Sequence, residues 1–462
     1  MCRVPSIFAR TRSAFGRARF AVFCSLILGG CAGTAGSARF ETHDADIGQS
    51  LTPPAAARAD VTHAAHLHRA AFVRAVLAAN PSIESARQSW RAALARVRQS
   101  GSFDDPMVEL ELAPLSVASS KAPLGYQLMV SQRLPWFGKR SLDAAVAAAE
   151  AEAVKSDFEG TKRELGMTAL MLYDQYFVAQ RSLDINAEHV KLMLAMRDAA
   201  TAQLASGRGS AQDALQAEAE LAHMEHDAVV LASQREIVVA QMNELLHRAP
   251  AQPLPPPPDS LPAPAPVEVT AGRLQAEAVN GRQDIVAAKQ RARAAQARVE
   301  RAERDGYPDF TVSTSYNSMW DMPEHRWMLG LGLNLPIFTG KRRGTADEAR
   351  AMRAQLESDA ARLSDSARTQ VFVTLKQLQQ SEHVLRLFET RLLPIAKQRI
   401  DAARAGFITG QNPFMAAIEA EKSLRSVELD YQSARAEYAG RHGQLERALG
   451  KIPGIDGQEA DR

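Results

Sequence analysis

Two periodicities share this chain. From Ser141 to Ala205 no proline occurs, and Leu165, Ala169, Leu172, Tyr176, Ala179, Leu183, Ala187, Val190 and Leu194 recur at spacings of three and four. That spacing predicts one long helix with an apolar stripe. A matching segment runs from about Gly344 to Ala405. Each predicted helix is ~95 Å long, the reach of a coiled coil or a tall helical barrel rather than of an ordinary globular helix. Residues 82–100 and 284–305 read as shorter Ala/Arg/Gln-rich helices, and 212–247 and 412–449 as returning helices. Four segments alternate with period two instead. Val108, Leu110 and Leu112 alternate with Met107, Glu109 and Glu111; Tyr126, Leu128 and Val130 with Gln127, Met129 and Ser131. Phe310, Val312 and Tyr316 alternate with Thr311, Ser313 and Ser315; Trp327, Leu329, Leu331 and Leu333 with Met328, Gly330, Gly332 and Asn334. Each is apolar on one face and polar or small on the other, the pattern of a transmembrane barrel strand. Tyr307, Tyr316, Trp320 and Trp327 are candidate interfacial aromatics. The competing reading is two soluble hairpins packed on helices.

The pattern is written twice. Arg91-Ala-Ala-Leu-Ala-Arg-Val97 recurs as Arg293-Ala-Ala-Gln-Ala-Arg-Val299, and Pro106 as Pro308, both 202 residues on. Leu134-Pro-Trp-Phe-Gly-Lys-Arg140 recurs as Leu335-Pro-Ile-Phe-Thr-Gly-Lys-Arg342, with Thr339 inserted. Leu215-Gln-Ala-Glu-Ala-Glu-Leu221 recurs as Ile418-Glu-Ala-Glu-Lys-Ser-Leu424. Four landmarks in one order at nearly one offset define a duplicated unit of helix, two strands, helix, turn and helix. The first repeat covers 63–249, with strands about 106–114 and 124–134. The second covers 268–450, with strands about 308–317 and 326–336. Between them, 250–267 holds nine of the 23 prolines and reads as an extended, plain spacer. Residues 451–462 read as a loose tail.

Composition adds boundaries. The chain has 462 residues, with 46% hydrophobic and 23% charged, a folded rather than disordered balance. A formal charge of +2 disfavours a nucleic-acid binder. Three cysteines without a C-x-x-C pair exclude a disulfide scaffold or a zinc ribbon. No nucleophile elbow, His-Glu-x-x-His, P-loop or dinucleotide fingerprint is present, so an enzyme is not expected. Residues 1–30 read as a signal peptide: five arginines without an acid precede the apolar run Phe20–Leu28. Its removal leaves 50 basic against 53 acidic residues, a mature charge of about −3. Leu28-Gly-Gly-Cys31 resembles the lipobox of bacterial lipoproteins. The resemblance implies cleavage before Cys31 and a covalent lipid on its thiol, with 31–62 as a lipidated tether. Ala32 after the cysteine is similar to outer-membrane rather than inner-membrane sorting. Ordinary signal cleavage near Ala35 or Ser37 is the competing reading.

Four strands cannot close a barrel, and an open edge cannot sit in lipid. Strands that span a membrane must therefore be pooled, and a trimer supplies twelve. The duplicated unit, the two Leu-Pro-x-Phe-(x)-Gly-Lys-Arg turns and the closing Ala-Leu-Gly450 resemble TolC-like outer-membrane efflux proteins. The resemblance implies a mostly α fold with a small β part: a trimeric α-barrel in the periplasm and a 12-stranded transmembrane β-barrel. It implies a homotrimeric passive exit duct in the outer membrane, lipid-anchored, with no cofactor. It implies as partners a periplasmic adaptor (membrane-fusion protein) and an inner-membrane RND-type pump. The periplasmic tips map to Leu204–Gly209 and Phe407–Asn412, with Gly207, Arg208, Gly410 and Gln411 as adaptor contacts. Asp213 and Glu419 fall where family members ring the pore entrance with carboxylates. A helix cap or a solvated face is the plain alternative for both. Three clusters carry metal-ligand types: His63, His66 and His68; His223 and His226; Met319, Met322, His325 and Met328. None is assigned as a metal site, since an exit duct binds weakly and methionine also packs. Metal cations are slightly preferred over drugs as cargo, because Tyr307-Pro-Asp309 and the short loops resemble the heavy-metal branch. The rival reading is a periplasmic adaptor or other coiled-coil interaction lipoprotein without a pore.

Overall fold

The computed structural model describes residues 64–117, 120, 123–261 and 269–455. The signal peptide, Cys31, the tether and His63 lie outside the described residues. Each half of the described chain runs two helices, a hairpin and a long antiparallel helical pair, whose first arm is broken into two helices in the second half. The first contains α1 (Arg69–Ala79), α2 (Pro81–Ser100), β1 (Met107–Leu112), β2 (Tyr126–Leu134), α3 (Lys139–Ala205) and α4 (Ala211–Leu245). The second contains α5 (Ala271–Gly281), α6 (Gln283–Arg304), β3 (Phe310–Asn317), β4 (Trp327–Leu333), α7 (Thr339–Leu387), α8 (Leu393–Ile408) and α9 (Phe414–Ala448). The short helices α1 and α5 were not foreseen. They begin 202 residues apart, a further landmark of the duplication. Asn80 separates α1 from α2: its side chain accepts the Ser82 N–H, and Pro81 fills the first helical position.

α3 is one helix of 67 residues, about 100 Å long. Its burial does not follow the single stripe expected from spacing. Met167, Leu170, Tyr173, Phe177, Met193, Met196 and Ala200 are buried, whereas Ala187 is exposed. The reason is that α1, α2, α4, α6 and α9 all pack on α3, so the covered face changes along its length. Two apolar cores result. The upper gathers Phe72, Val76, Leu170, Tyr173, Phe177, Val238 and Met242. The lower gathers Met193, Met196, Met224, Ile400, Phe407 and Ile418.

The corresponding helix of the second half is broken, against the expectation of one helix over about 344–405. Residues Phe388–Leu392 form a π-turn between α7 and α8. Pro394 supplies the cause: it has no N–H, and its ring crowds the carbonyl four residues back. A widened turn accommodates both demands.

The proline-rich segment is not a plain spacer over its described part. Leu254 and Leu261 are buried in the upper core. The Pro256 carbonyl accepts the Leu67 N–H at 2.8 Å, the Pro255 carbonyl accepts the Tyr176 hydroxyl at 3.0 Å, and Asn243 Nδ2 donates to the Pro250 and Gln252 carbonyls. Prolines leave these carbonyls exposed and extended, ready for side-chain donors. The first residues after 450 are also held. Gly454 N–H donates to Glu446 Oε2 at 2.8 Å, and Ile455 packs on the upper core.

Candidate functional site: a membrane face, a charged neck and a turned tip

The four alternating segments form one antiparallel sheet in the order β1-β2-β3-β4. The two hairpins join through β2 and β3, with Leu134 opposite Phe310 and Ser131 opposite Ser313. The registers sort every strand the same way. One row holds Val108, Val130, Thr314 and Leu329; the next holds Leu110, Leu128, Tyr316 and Trp327. Gln132, Val312 and Leu331 continue this side, as do Leu134, Phe310 and Leu333. The opposite side holds Glu109, Met129, Ser315 and Met328 in one row, flanked by Glu111, Gln127 and Asn317. The apolar side is bare: Val108 is 65% exposed, Leu329 78% and Leu331 76%. A soluble protein does not leave so much contiguous aliphatic surface in water. Aromatic belts flank it. At the loop end, Tyr126, Tyr316 and Trp327 meet across three strands, the first pair tilted and the second edge-to-face, with centroids 5.7 and 5.2 Å apart. At the helix end, Trp136 stacks between Tyr307 and Phe310 at 5.4 and 5.5 Å. Apolar strands between two aromatic girdles are the surface of a transmembrane barrel. Trp136 was missed in the sequence. Trp320 sits instead in the β3–β4 loop against His325.

The first Leu-Pro-Trp-Phe-Gly-Lys-Arg turn builds the neck between sheet and helices. Gly138 has φ +83°, a left-handed conformation that lets the chain turn from strand into α3. Lys139 follows and is buried, with Nζ 2.8 Å from Asp309 Oδ1 and 3.0 Å from the Tyr307 carbonyl. Asp309 also accepts Arg133 Nη2 at 2.6 Å and the Trp136 N–H at 3.0 Å. The exit of the first hairpin is thereby fastened to the start of the second. In the second half the equivalent turn is bare: Leu335, Ile337 and Phe338 are 65%, 70% and 73% exposed. A cavity of about 1130 Å³ opens at this level, lined by both signs of charge, among them Arg96, Arg133, Glu150, Arg298 and Asp305.

At the far end the helices reverse at Gly207 (φ +70°) and Gly410 (φ +75°). The Gly207 and Gly410 N–H groups donate to the Leu204 and Phe407 carbonyls. Arg208 and Gln411 sit exposed beside them. Gln203 Nε2 donates to the Phe407 carbonyl at 3.2 Å and ties the two tips together. Asp213 takes part in a capping box: Ser210 N–H donates to its Oδ2 at 3.3 Å, and the Ser210 hydroxyl accepts the Gln212 N–H at 3.1 Å. Glu419 is exposed on α9.

The three clusters of metal-ligand types are scattered. His66, His68, His223 and His226 are exposed. Met319 turns toward Gly125 before β2, where a Cβ would lie 3.0 Å from its sulfur, while Met328 sits on β4 beyond β3. Among the described residues no group of three His, Cys, Asp or Glu converges on a metal position, and no helix is long and apolar enough to cross a membrane.

Long paired helices, a four-stranded sheet with one lipid-facing side, and glycine-turned tips define a subunit of a channel-tunnel. Comparison with known proteins agrees. A solved structure of CusC, described with transmembrane channel formation, superposes with a TM-score of 0.71 at 18% identity, covering 82% of this chain and 91% of that one. Residues 274–451 match the family described as Outer membrane efflux protein. The second repeat thus matches the outer membrane efflux protein family, and the fold of the described chain is that of TolC-like channel-tunnel structures. Two relatives are similar over most of their length. Nodulation protein T of Rhizobium leguminosarum bv. viciae is 23% identical over 82% of this chain and 81% of its own. The cobalt-zinc-cadmium resistance protein CzcC of Cupriavidus metallidurans is 27% identical over 70% of this chain and 74% of its own. The same findings support a channel over the pore-free adaptor reading.

Proposed function

We propose that three copies of this chain close into the outer-membrane duct of a tripartite efflux pump, and that the duct favours metal cations. The observation that carries the reading is the sheet: its apolar side suits lipid, and its outer strands β1 and β4 each have one unpaired edge. An open edge cannot persist in a bilayer, so β4 of one copy pairs with β1 of the next. The duplication sets the register of that seam. Carried over from the β2–β3 pairing, it places Leu333 opposite the next copy's Leu110 and Asn334 opposite its Glu109. Apolar then meets apolar outside and polar meets polar inside. The bare Leu335, Ile337 and Phe338 turn packs on the next copy, as Trp136 packs within this one.

Closure directs Glu109 and Glu111 of each copy into the lumen beside Met129 and Met328. Rings of carboxylates favour cations in a water-filled pore. The resemblance to CzcC supports the same cargo class. The tips at Gly207, Arg208, Gly410 and Gln411 meet the periplasmic adaptor, and Asp213 and Glu419 lie at the entrance. The inner-membrane RND-type pump supplies the energy, and a lipid on Cys31 anchors the N-terminus.

Deletion of the gene in its source bacterium tests the assignment. Lower tolerance to cobalt, zinc, cadmium, copper or silver is expected, restored by the intact gene. Lost drug tolerance with unchanged metal tolerance would overturn the cargo assignment. Unchanged tolerance to both would overturn efflux itself.

A further inference from the structure

Between the two apolar cores of α3 lies a polar layer. Ser182, Asn186 and His189 are buried there, on the helix face that below carries Met193. His189 bridges to α9 through both ring nitrogens. Nδ1 lies 2.8 Å from Glu421 Oε1, and Nε2 lies 2.9 Å from Glu428 Oε2. Glu421 is wholly buried, and its other oxygen has no partner. A buried carboxylate with one partner depends on that partner's charge.

The surroundings offer no substitute. From α9, Arg425 turns to Glu220 and Asp227 of α4 and approaches Asn186 Oδ1 at 3.5 Å. Lys422 pairs with Glu220 at 2.6 Å. From α4, the Met224 carbonyl is occupied by Asn186 Nδ2. Arg425 and Lys422 are thus committed elsewhere, and among the described residues His189 is the cationic partner of Glu421 and Glu428.

The second half diverges at the same level. Through the tip offset of 203, His189 corresponds to Leu392, the last residue of the π-turn. α9 touches both features: Glu428 holds His189, and three residues on the Tyr431 hydroxyl donates to Glu389 of the π-turn at 3.2 Å. Below this level α8 and α9 pack on the lower core; above it α9 packs on the upper core. The α8–α9 hairpin thus has a pliable joint on one strand and a charged fastening on the other.

We infer that the His189–Glu421–Glu428 bridge is a protonation-dependent latch that holds the α8–α9 tip hairpin against α3. With the imidazole protonated, both carboxylates are satisfied and the hairpin is held. Without the proton, one ring nitrogen can no longer donate, a buried carboxylate loses its partner, and the hairpin swings about the π-turn. Burial by itself pushes the His189 value down, but the hydrogen bonds to Glu421 and Glu428 outweigh it and hold the imidazole up at about 9. A group raised on folding stabilises fully below its ordinary value of 6.5, and loses that contribution as pH rises through its folded value. The latch is therefore closed at neutral pH and released above about 9.

The inference rests on the channel reading and is tested on the purified full-length protein in planar bilayers. Conductance of the wild-type protein is expected to rise roughly tenfold between neutral and strongly alkaline pH, below the ceiling set by the shift. His189→Gln, which supplies an N–H donor but cannot take the charge, is expected to show the alkaline conductance already at neutral pH and a flat profile. Glu428→Gln touches only the half-exposed acceptor and is expected to move the midpoint down toward the ordinary histidine value; it decides the matter if His189→Gln fails to assemble. A conducting wild-type protein with no pH step, or variants that keep its step unmoved, would overturn the latch. A wild-type protein that conducts at no pH would overturn the channel, and the latch with it.

Discussion

Leu329→Arg is expected to abolish assembly in the outer membrane. Leu329 lies mid-strand on β4, 78% exposed, in the row with Thr314, Val130 and Val108. An arginine facing lipid near the bilayer midplane costs about 2–4 kcal/mol in a transmembrane barrel. In the proposed trimer three copies carry the cost three times, so about 6–12 kcal/mol opposes its assembly. The neighbouring Met328→Arg is the control. Met328 shares its row with Ser315, Met129 and Glu109, on the side assigned to the lumen. Its long cation stays in water there, beside carboxylates. Heat-modifiable oligomer in outer-membrane fractions should fall more than tenfold for Leu329→Arg and stay near the wild-type amount for Met328→Arg. Equal loss from both would show that the two faces are not lipid and water.

The second large effect is expected at the neck. Asp309→Ala removes the carboxylate that holds Lys139, whose side chain is only 4% exposed. Breaking one partner of a buried ion pair costs about 3–5 kcal/mol where the charge is left uncompensated; Asp305, 3.8 Å from Lys139 Nζ and partly exposed, offsets only part of that. The same substitution frees the Trp136 N–H and one contact of Arg133, and so loosens the aromatic stack with Tyr307 and Phe310. A comparison fixes the scale. Arg350 pairs with Glu303 and Asp347, but its side chain is 53% exposed, and such surface pairs contribute about 0–1 kcal/mol. Denaturant midpoints of the detergent-solubilised protein, read by helical circular dichroism, should drop clearly for Asp309→Ala and barely for Arg350→Ala. Pairing Asp309→Asn with Lys139→Met should recover part of the loss, because no buried charge then remains. A midpoint for Asp309→Ala within that of Arg350→Ala would remove the neck staple from the account.

The sequence revealed most where the physical signal is local. Period two in β1 to β4 is carried by consecutive residues, so the lipid and lumen sides were readable without any partner strand. The duplication was readable because landmarks such as the Gly-Lys-Arg turn recur in order. What remained hidden depends on long-range pairing. Lys139 meets Asp309 across 170 residues, and His189 meets Glu421 and Glu428 across 232 and 239. No local pattern marks one histidine within a long helix as one end of such a bridge. The π-turn was signalled by Pro394, a proline inside a predicted helix, but the strength of the surrounding Ala/Leu pattern masked it. The proline-rich strap misled through composition: Leu254 and Leu261, which bury in the upper core, stand among prolines that argue for solvent.

The most direct test of closure by three copies is a paired-cysteine experiment across the proposed seam. Asn334 and Glu109 face the lumen side, and the register places them opposite each other only between copies. After signal removal Cys31 would be the sole native cysteine, far in sequence from both positions. The chain carrying both Asn334→Cys and Glu109→Cys, treated with a short thiol cross-linker in intact outer membranes, is expected to run as dimer and covalent trimer on denaturing gels. Each single variant should remain monomeric. A double variant that stays monomeric in membranes, or that cross-links beyond a trimer, would contradict a barrel closed by three chains.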